Sequence, residues 1–278
     1  MNPKYNLKVE RNVAPEKVKD YTASSVSSVS SASSSSPETI DLRNKISITY
    51  DQGPLGSCIA NALCYAYIYD NPTYKPSRLF LYYNERYLDR DNNQDVESTL
   101  SQGINALEKY GMCSETLWPY NVSKFAVKPN EESYTEGLKD EVITANRVLQ
   151  TMSSLKGCLI SGFPFVVGIA VYESFESNMV SKIGYVPMPD INNEQLLGGH
   201  AAICIGFNDS KGIWIMKNSY GSSWGDNGYF YLPYAYLTNT ILCGDVWKIT
   251  KVPLTYHSKN KILKMNENIK FFGYRKGM

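Results

Sequence analysis

Three short segments carry residue types that can do nucleophilic chemistry. The first, Gln52-Gly-Pro-Leu-Gly-Ser-Cys58-Ile-Ala-Asn-Ala, turns and then enters an apolar run. The second is Gly198-Gly199-His200-Ala-Ala-Ile, and the third is Lys217-Asn218-Ser-Tyr220-Gly-Ser-Ser-Trp224-Gly-Asp-Asn-Gly-Tyr-Phe230. Taken singly, each has a plainer reading. A free cysteine usually packs as a small apolar residue, a histidine at a strand entry is commonly a satisfied core group, and an asparagine in a Gly/Ser-rich loop is usually a turn residue.

Together they supply the parts of an activated thiol. A thiol attacks as its thiolate, and its pKa falls at a helix N-terminus or beside a protonated imidazole. The chain holds only two histidines, and His200 follows Cys58 by 200 − 58 = 142 residues. That lies within the roughly 130–150 residues that separate nucleophile and base in one known class of thiol hydrolase. Asn218 comes 218 − 200 = 18 residues later, room for one strand, a turn and a second strand. Its side-chain carbonyl can accept the imidazole N–H and aim the ring at the sulfur. Gln52, 58 − 52 = 6 residues before the cysteine, can join the Cys58 backbone N–H as a donor to a developing oxyanion.

The elements that must position these groups are partly legible. Cys58 to Tyr69 contains no Gly or Pro and follows a Gly-Pro-Leu-Gly-Ser turn, which predicts a helix with Cys58 at its N-terminus. Thr99 to Tyr110 places Leu100, Ile104 and Leu107 on one face, with Gly111 as a C-cap. The second half predicts strands at Phe163–Tyr172, Ala201–Phe207, Gly212–Lys217, Gly228–Leu232 and Asp245–Lys251, rich in Val, Ile and aromatics between Gly, Asn and Asp turns. A helical half followed by an all-β half predicts an α+β protein of two lobes with a cleft between them.

From Ile40 to Lys251 the sequence resembles the papain family of cysteine proteases, which includes the cathepsins. The Gln-Gly-x-x-Gly-Ser-Cys element, the Gly-His-Ala element and the Asn-Ser-x-Gly-x-x-Trp-Gly-x-x-Gly-Tyr element carry the resemblance in that order. It implies a papain-like fold, with a helical left lobe over about 50–155 and a β-barrel right lobe over about 156–250. It also implies endopeptidase action on proteins or peptides through a thiolate–imidazolium pair, without metal or other cofactor. By position, Cys58 is then the nucleophile, His200 the general acid/base, Asn218 its orienter and Gln52 the oxyanion donor. Gly199 matches a position whose backbone meets substrate, and Trp224 an indole on the leaving-group side. Tyr220 replaces the Trp that covers the Asn–His bond. Lys248 falls in the strand that often floors the main specificity pocket, where an inward ammonium favours acidic side chains.

Several departures point to the divergent microbial and viral members. Leu55 stands where most of the family has a cysteine three residues before the nucleophile, so that disulfide is absent. Ile59 replaces the usual Trp after Cys58. No Gly-Cys-x-Gly-Gly segment precedes Thr99, which leaves the non-prime wall undefined. No histidine lies between Cys58 and His200, so the substrate-carboxylate clamp of cathepsin-B-like exopeptidases is missing, and Asp89 to Glu97 reads as an ordinary solvated loop.

Composition bounds the rest. The 278 residues carry 28 Lys+Arg against 27 Asp+Glu, a net +1, with 43% apolar and 20% charged residues, the profile of a soluble globular chain. That balance excludes a general nucleic-acid binder. No run reaches the roughly 18 apolar residues of a membrane span. The longest, Leu159 to Val171, is broken by Ser161, Gly162 and Pro164 and reads as a buried strand. The N-terminus lacks the apolar core of a secretory signal, so the expected location is cytoplasmic by default or, on the viral resemblance, packaged in a virion. Six cysteines in such a chain are expected to stay mostly reduced. Three regions follow: a pro-like segment with a Ser-rich tract over 1–39, a catalytic domain over 40–250 and a basic extension over 251–278. On its serine tether, residues 1–21 can fold back over the cleft and restrain it. Two other readings stay open, a catalytically silent peptide-binding homologue and a thiol acyltransferase of the transglutaminase kind. Oligomeric state is not legible.

Overall fold

A computed structural model describes Tyr5, Leu7, Asp20–Tyr21 and residues 36–253 apart from 97 and 140. The Ser-rich tract and the extension from residue 254 on, with His257, lie outside the described residues.

Helix α1 (Cys58–Asp70) is buried on every side from Cys58 to Tyr69. A helix apolar all round belongs in an interior, and this one runs between the sheet on one side and α2 (Arg78–Leu88) and α3 (Leu100–Tyr110) on the other. Ile59, Leu63 and Tyr65 are inaccessible, each full burial of this kind contributing about 1.5–3 kcal/mol. The backbone of Cys58 is therefore fixed by the core itself. Helix α2 is capped by Ser77, whose side chain accepts from the Phe80 N–H. A capping box between Thr99 and Gln102 starts α3. Gly111 ends it at φ +67°, with Gly137 O so close that a β-carbon would collide with it, so only glycine fits. Short α4 (Glu131–Gly137) completes this half.

The strands are β1 (Asp20–Tyr21), β2 (Thr39–Asp41), β3 (Glu141–Val148), β4 (Phe165–Tyr172), β5 (Leu196–Asn208), β6 (Ile213–Lys217), β7 (Tyr229–Pro233) and β8 (Cys243–Pro253). They form one sheet in the order β1-β3-β8-β4-β5-β6-β7, with β2 added to β5. All pairings are antiparallel except β1 with β3. Helices α5 (Met152–Ile160), α6 (Asn178–Ile183) and α7 (Tyr234–Thr238) join or flank these strands. Every residue of β4 is buried, as its continuous Val/Ile run requires of a central strand.

The α+β class and the papain-like arrangement hold, with corrections. The sheet is not closed into a barrel: among the described residues no ladder joins β7 back to β1 or β3. The helical half is not purely helical, because β3 lies inside it and pairs along its length with β8. The apolar run from Leu159 is not one strand. Its first two residues end α5, and Ser161-Gly162 makes the turn into β4. Helices α2, α4 and α5 carry too mixed a pattern to stand out. In α2 even Asn84, Glu85 and Arg86 are fully buried, which hides the amphipathic period that reveals a surface helix.

Among the described residues no helix is long and apolar enough to cross a membrane. All six cysteines are free and buried.

Candidate active site

Cys58 is the first residue of α1, where unsatisfied backbone N–H groups and the helix dipole favour negative charge. The Ala201 N–H points at its sulfur, next in chain to His200 on β5. The His200 Nε2 and Asn218 Oδ1 are 2.8 Å apart, so the ring donates there and Nδ1 is on the other side. Asn218 Oδ1 also accepts from Ser219 N at 2.9 Å, which fixes the amide's orientation. Just past the end of β6, Asn218 is held by its own N–H to Gly228 O (2.9 Å) and by the Tyr65 hydroxyl to its carbonyl (3.1 Å). Tyr65 sits two turns along α1 from Cys58, so one helix positions both the sulfur and Asn218.

Gln52 is fully buried in the approach to α1. Its Oε1 accepts from Ser219 Oγ (2.6 Å), its Nε2 donates to Leu55 O (2.9 Å), and its backbone N–H donates to Ser219 O (2.9 Å). Ser219 thereby fixes which end of the Gln52 amide is the donor end, leaving one Nε2 hydrogen for a ligand. Tyr220 covers the histidine with ring centroids 4.9 Å apart, and its hydroxyl lies 3.4 Å from His200 Nδ1. That places it against the His200 ring. Trp224 stacks on Phe175 (5.6 Å, 24°) and meets Tyr220 edge-on. Phe175, which no motif announces, is buried 6.4 Å from the His200 ring and forms the floor between histidine and indole.

Gly199 does meet a peptide, and that peptide is the chain itself. Leu7 N donates to Gly199 O at 3.2 Å, and Leu7 pairs in parallel with Ser98 across the groove. A β-carbon on Gly199 would lie 2.1 Å from Leu7 O, so the approach needs glycine. The Leu7 side chain is buried, its Cδ2 packed over Gly168 near Leu100. Tyr5 stands edge-on to His200 with ring centroids 6.2 Å apart.

Lys248 is a correction. Its neighbours Trp247 and Ile249 belong to the core around α1 and Leu7. Alternation along β8 turns Lys248 to the opposite face, where its ammonium lies 4.3 Å from the Phe163 ring centre and beside Cys158. It floors no pocket around Leu7. The loop from Asp89 is also not simply solvated. Fully buried Arg86 donates to Asn92 O (3.0 Å) and Gln94 O (2.7 Å), and Asp95 Oδ1 accepts from Gly56 N at 2.9 Å. Sequence reasoning missed Tyr65, Asp95, Phe175 and Ser219 because each acts through a neighbour far away in the chain.

Burial sets the protonation of Cys58 and of His200. It pushes the Cys58 thiol up to about 12, against the lowering effect of the Ala201 N–H. It pushes His200 down to about 4, against the raising effect of Asn218. Both directions favour neutral thiol and neutral imidazole, since a dry site penalises either charge. Among the described residues no cluster of His, Cys, Asp or Glu is placed to hold a metal.

The chain is similar to known proteins. The family model of papain family cysteine proteases matches residues 36–243. An uncharacterised peptidase C1-like protein of Acanthamoeba polyphaga mimivirus is 43% identical over 216 residues, covering 73% of this chain and 69% of that one. The crystal structure of xylellain, a cysteine protease from Xylella fastidiosa, superposes with a TM-score of 0.79 at 33% identity, covering 91% of this chain and 98% of that one. Digestive procathepsin L 3 of Tenebrio molitor shares the fold at a TM-score of 0.64 and 17% identity, over 90% of this chain and 76% of that one. The chain belongs to the papain family of cysteine proteases and is a thiol protease.

Proposed function

We propose that this protease is an endopeptidase working through a Cys58–His200 ion pair, held inactive by its own N-terminal segment. The carrying observation is Leu7 seated on Gly199 and Ser98 beside the histidine. An extended chain bound there occupies the backbone positions a substrate needs and dries the site.

When that segment leaves, water returns and each charge of the pair stabilises the other. The Cys58 thiolate attacks the scissile carbonyl carbon, and the carbonyl electron pair moves onto oxygen. Cys58 N–H and the free Nε2 hydrogen of Gln52 stabilise that oxyanion. His200 gives its Nδ1 proton to the leaving amine, and the C–N bond breaks to leave a thioester on Cys58. Water then attacks the thioester with His200 taking its proton, releasing the acid and restoring the pair. Asn218 keeps the ring in the facing this requires, and Tyr220 shields their bond from water.

Two changes test the restraint. Deleting residues 1–21, or placing a carboxylate in the apolar seat with Leu7→Asp, is expected to raise kcat/KM on an unstructured fluorogenic peptide by about tenfold or more. The cost of burying an unpaired charge expels the segment in the second case. Activity equal to the parent in both variants would discard the restraint.

A further inference from the structure

The turn before the nucleophile is held by a side chain from the other wall of the groove. Gly56, two residues before Cys58, donates its backbone N–H to Asp95 Oδ1 at 2.9 Å, and the Tyr82 hydroxyl donates to the same oxygen. Asp95 is delivered there by a built support. Arg86, inaccessible to solvent, lies with its guanidinium carbon 3.9 Å from the Tyr82 ring centre and 5.2 Å from that of Phe125. Its guanidinium donates four hydrogen bonds, to Tyr82 O, Asn92 O, Gln94 O and Phe125 O, so one buried cation fixes the loop on both sides of the groove wall. Three residues beyond Asp95, Ser98 is the position that pairs with Leu7. On the other side, Leu55 O accepts from Gln52 Nε2, and Ser57 is bound through Tyr120 and Asn61. Leu55, adjacent to Gly56, is the residue that stands where most of the family has a disulfide-forming cysteine.

We propose that Asp95 is a positioning residue for the reaction, a hydrogen-bonded clamp that joins the pre-nucleophile turn to the non-prime wall where a covalent staple is missing. A carboxylate accepting two donors at one oxygen suits this task, because charge-assisted bonds are shorter and stronger than neutral ones. The clamp acts on two parts at once. Through Gly56 it sets the Cys58 N–H and the Gln52 amide relative to the oxyanion, and through the chain to Ser98 it sets the edge that pairs with an extended peptide.

The inference rests on the endopeptidase reading, and its test separates the two. In the full-length chain released by Leu7→Asp, adding Asp95→Ala is expected to lower kcat/KM on a peptide spanning the non-prime side by about ten- to a hundredfold. KM should rise for that peptide, while kcat alone should fall for a minimal activated ester that does not reach Ser98. Asp95→Asn keeps an acceptor oxygen at the same place and should recover most of the loss, and Tyr82→Phe should give a smaller defect of the same kind. A role confined to stability would lower the melting temperature and leave kcat and KM unchanged well below it, which overturns the proposal. Asp95→Asn as impaired as Asp95→Ala also overturns it. Should Asp95→Ala fail to fold, Tyr82→Phe decides by the same KM and kcat comparison. Should Leu7→Asp cleave no peptide, the endopeptidase reading falls, and the rate at which the minimal activated ester acylates Cys58, read on its own peptide by mass spectrometry, still tests the clamp. An equal acylation rate with and without Asp95→Ala in that background would then overturn it.

Discussion

Cys58→Ala is expected to abolish peptide turnover, lowering kcat by roughly 10⁵–10⁶-fold, the scale seen when one member of a catalytic unit is removed. Labelling by a thiol-directed epoxide should vanish with it, although the other five cysteines remain, because none of those opens a helix as Cys58 does. Alanine fits the first turn of a buried helix without strain, so the fold should survive and the loss is chemical. The measurement is hydrolysis of an unstructured fluorogenic peptide, with intact-mass detection of the epoxide adduct. Cleavage at the parent rate by Cys58→Ala would remove the nucleophile assignment and the mechanism with it.

Gln52→Ala carries the second largest effect. The Gln52 amide is oriented by Ser219 Oγ at one end and Leu55 O at the other, with one N–H left over. Loss of a preorganised oxyanion donor costs about 2.7–4 kcal/mol of transition-state stabilisation, or roughly 10²–10³-fold in kcat. Because the oxyanion forms only during acyl transfer, KM should move little. Alkylation of Cys58 by iodoacetamide, which forms no oxyanion, should stay within about threefold of the parent. Turnover and alkylation falling together by the same factor would mean that Gln52 acts on the thiol itself.

What could be read in advance follows a physical divide. The chemistry-bearing residues stood out because each needs a particular type in a local setting: Cys58 after a Gly-rich turn, His200 after two glycines, Asn218 before Ser-Tyr-Gly. The helix after Cys58 and the capped helix before Gly111 were legible from local signals alone. Helix α2 was not, because Arg86 and Glu85 are buried in it and its function is to hold a loop rather than to present a polar face. Lys248 faced the wrong way for its expected role, since one residue of register along a strand exchanges the two faces. The open sheet differs from the expected barrel because closure depends on long-range pairing that no strand encodes by itself. Asp95 and Phe175 escaped notice for a similar reason. Their partners Gly56 and Trp224 lie 39 and 224 − 175 = 49 residues away, and only the folded chain brings them together.

Leu7 is the described residue of the N-terminal segment that meets both Gly199 and Ser98. It supplies a backbone pair on each side and an apolar side chain packed over Gly168. This makes Leu7→Asp a sharper lever than truncation, since the rest of the chain stays in place.

The pH dependence of Cys58 alkylation, measured in Leu7→Asp beside the parent, is the most direct test of the ion pair. In the parent, burial holds the thiol neutral up to about 12 and the imidazole neutral down to about 4, so alkylation should be slow throughout the range between. In Leu7→Asp, solvent reaches the pair, and the imidazolium should stabilise the thiolate from mildly acidic pH, giving a fast plateau across roughly pH 5–7. A rate in Leu7→Asp that stays low there and rises only near the roughly 8.5 of an unassisted thiol would contradict the pair.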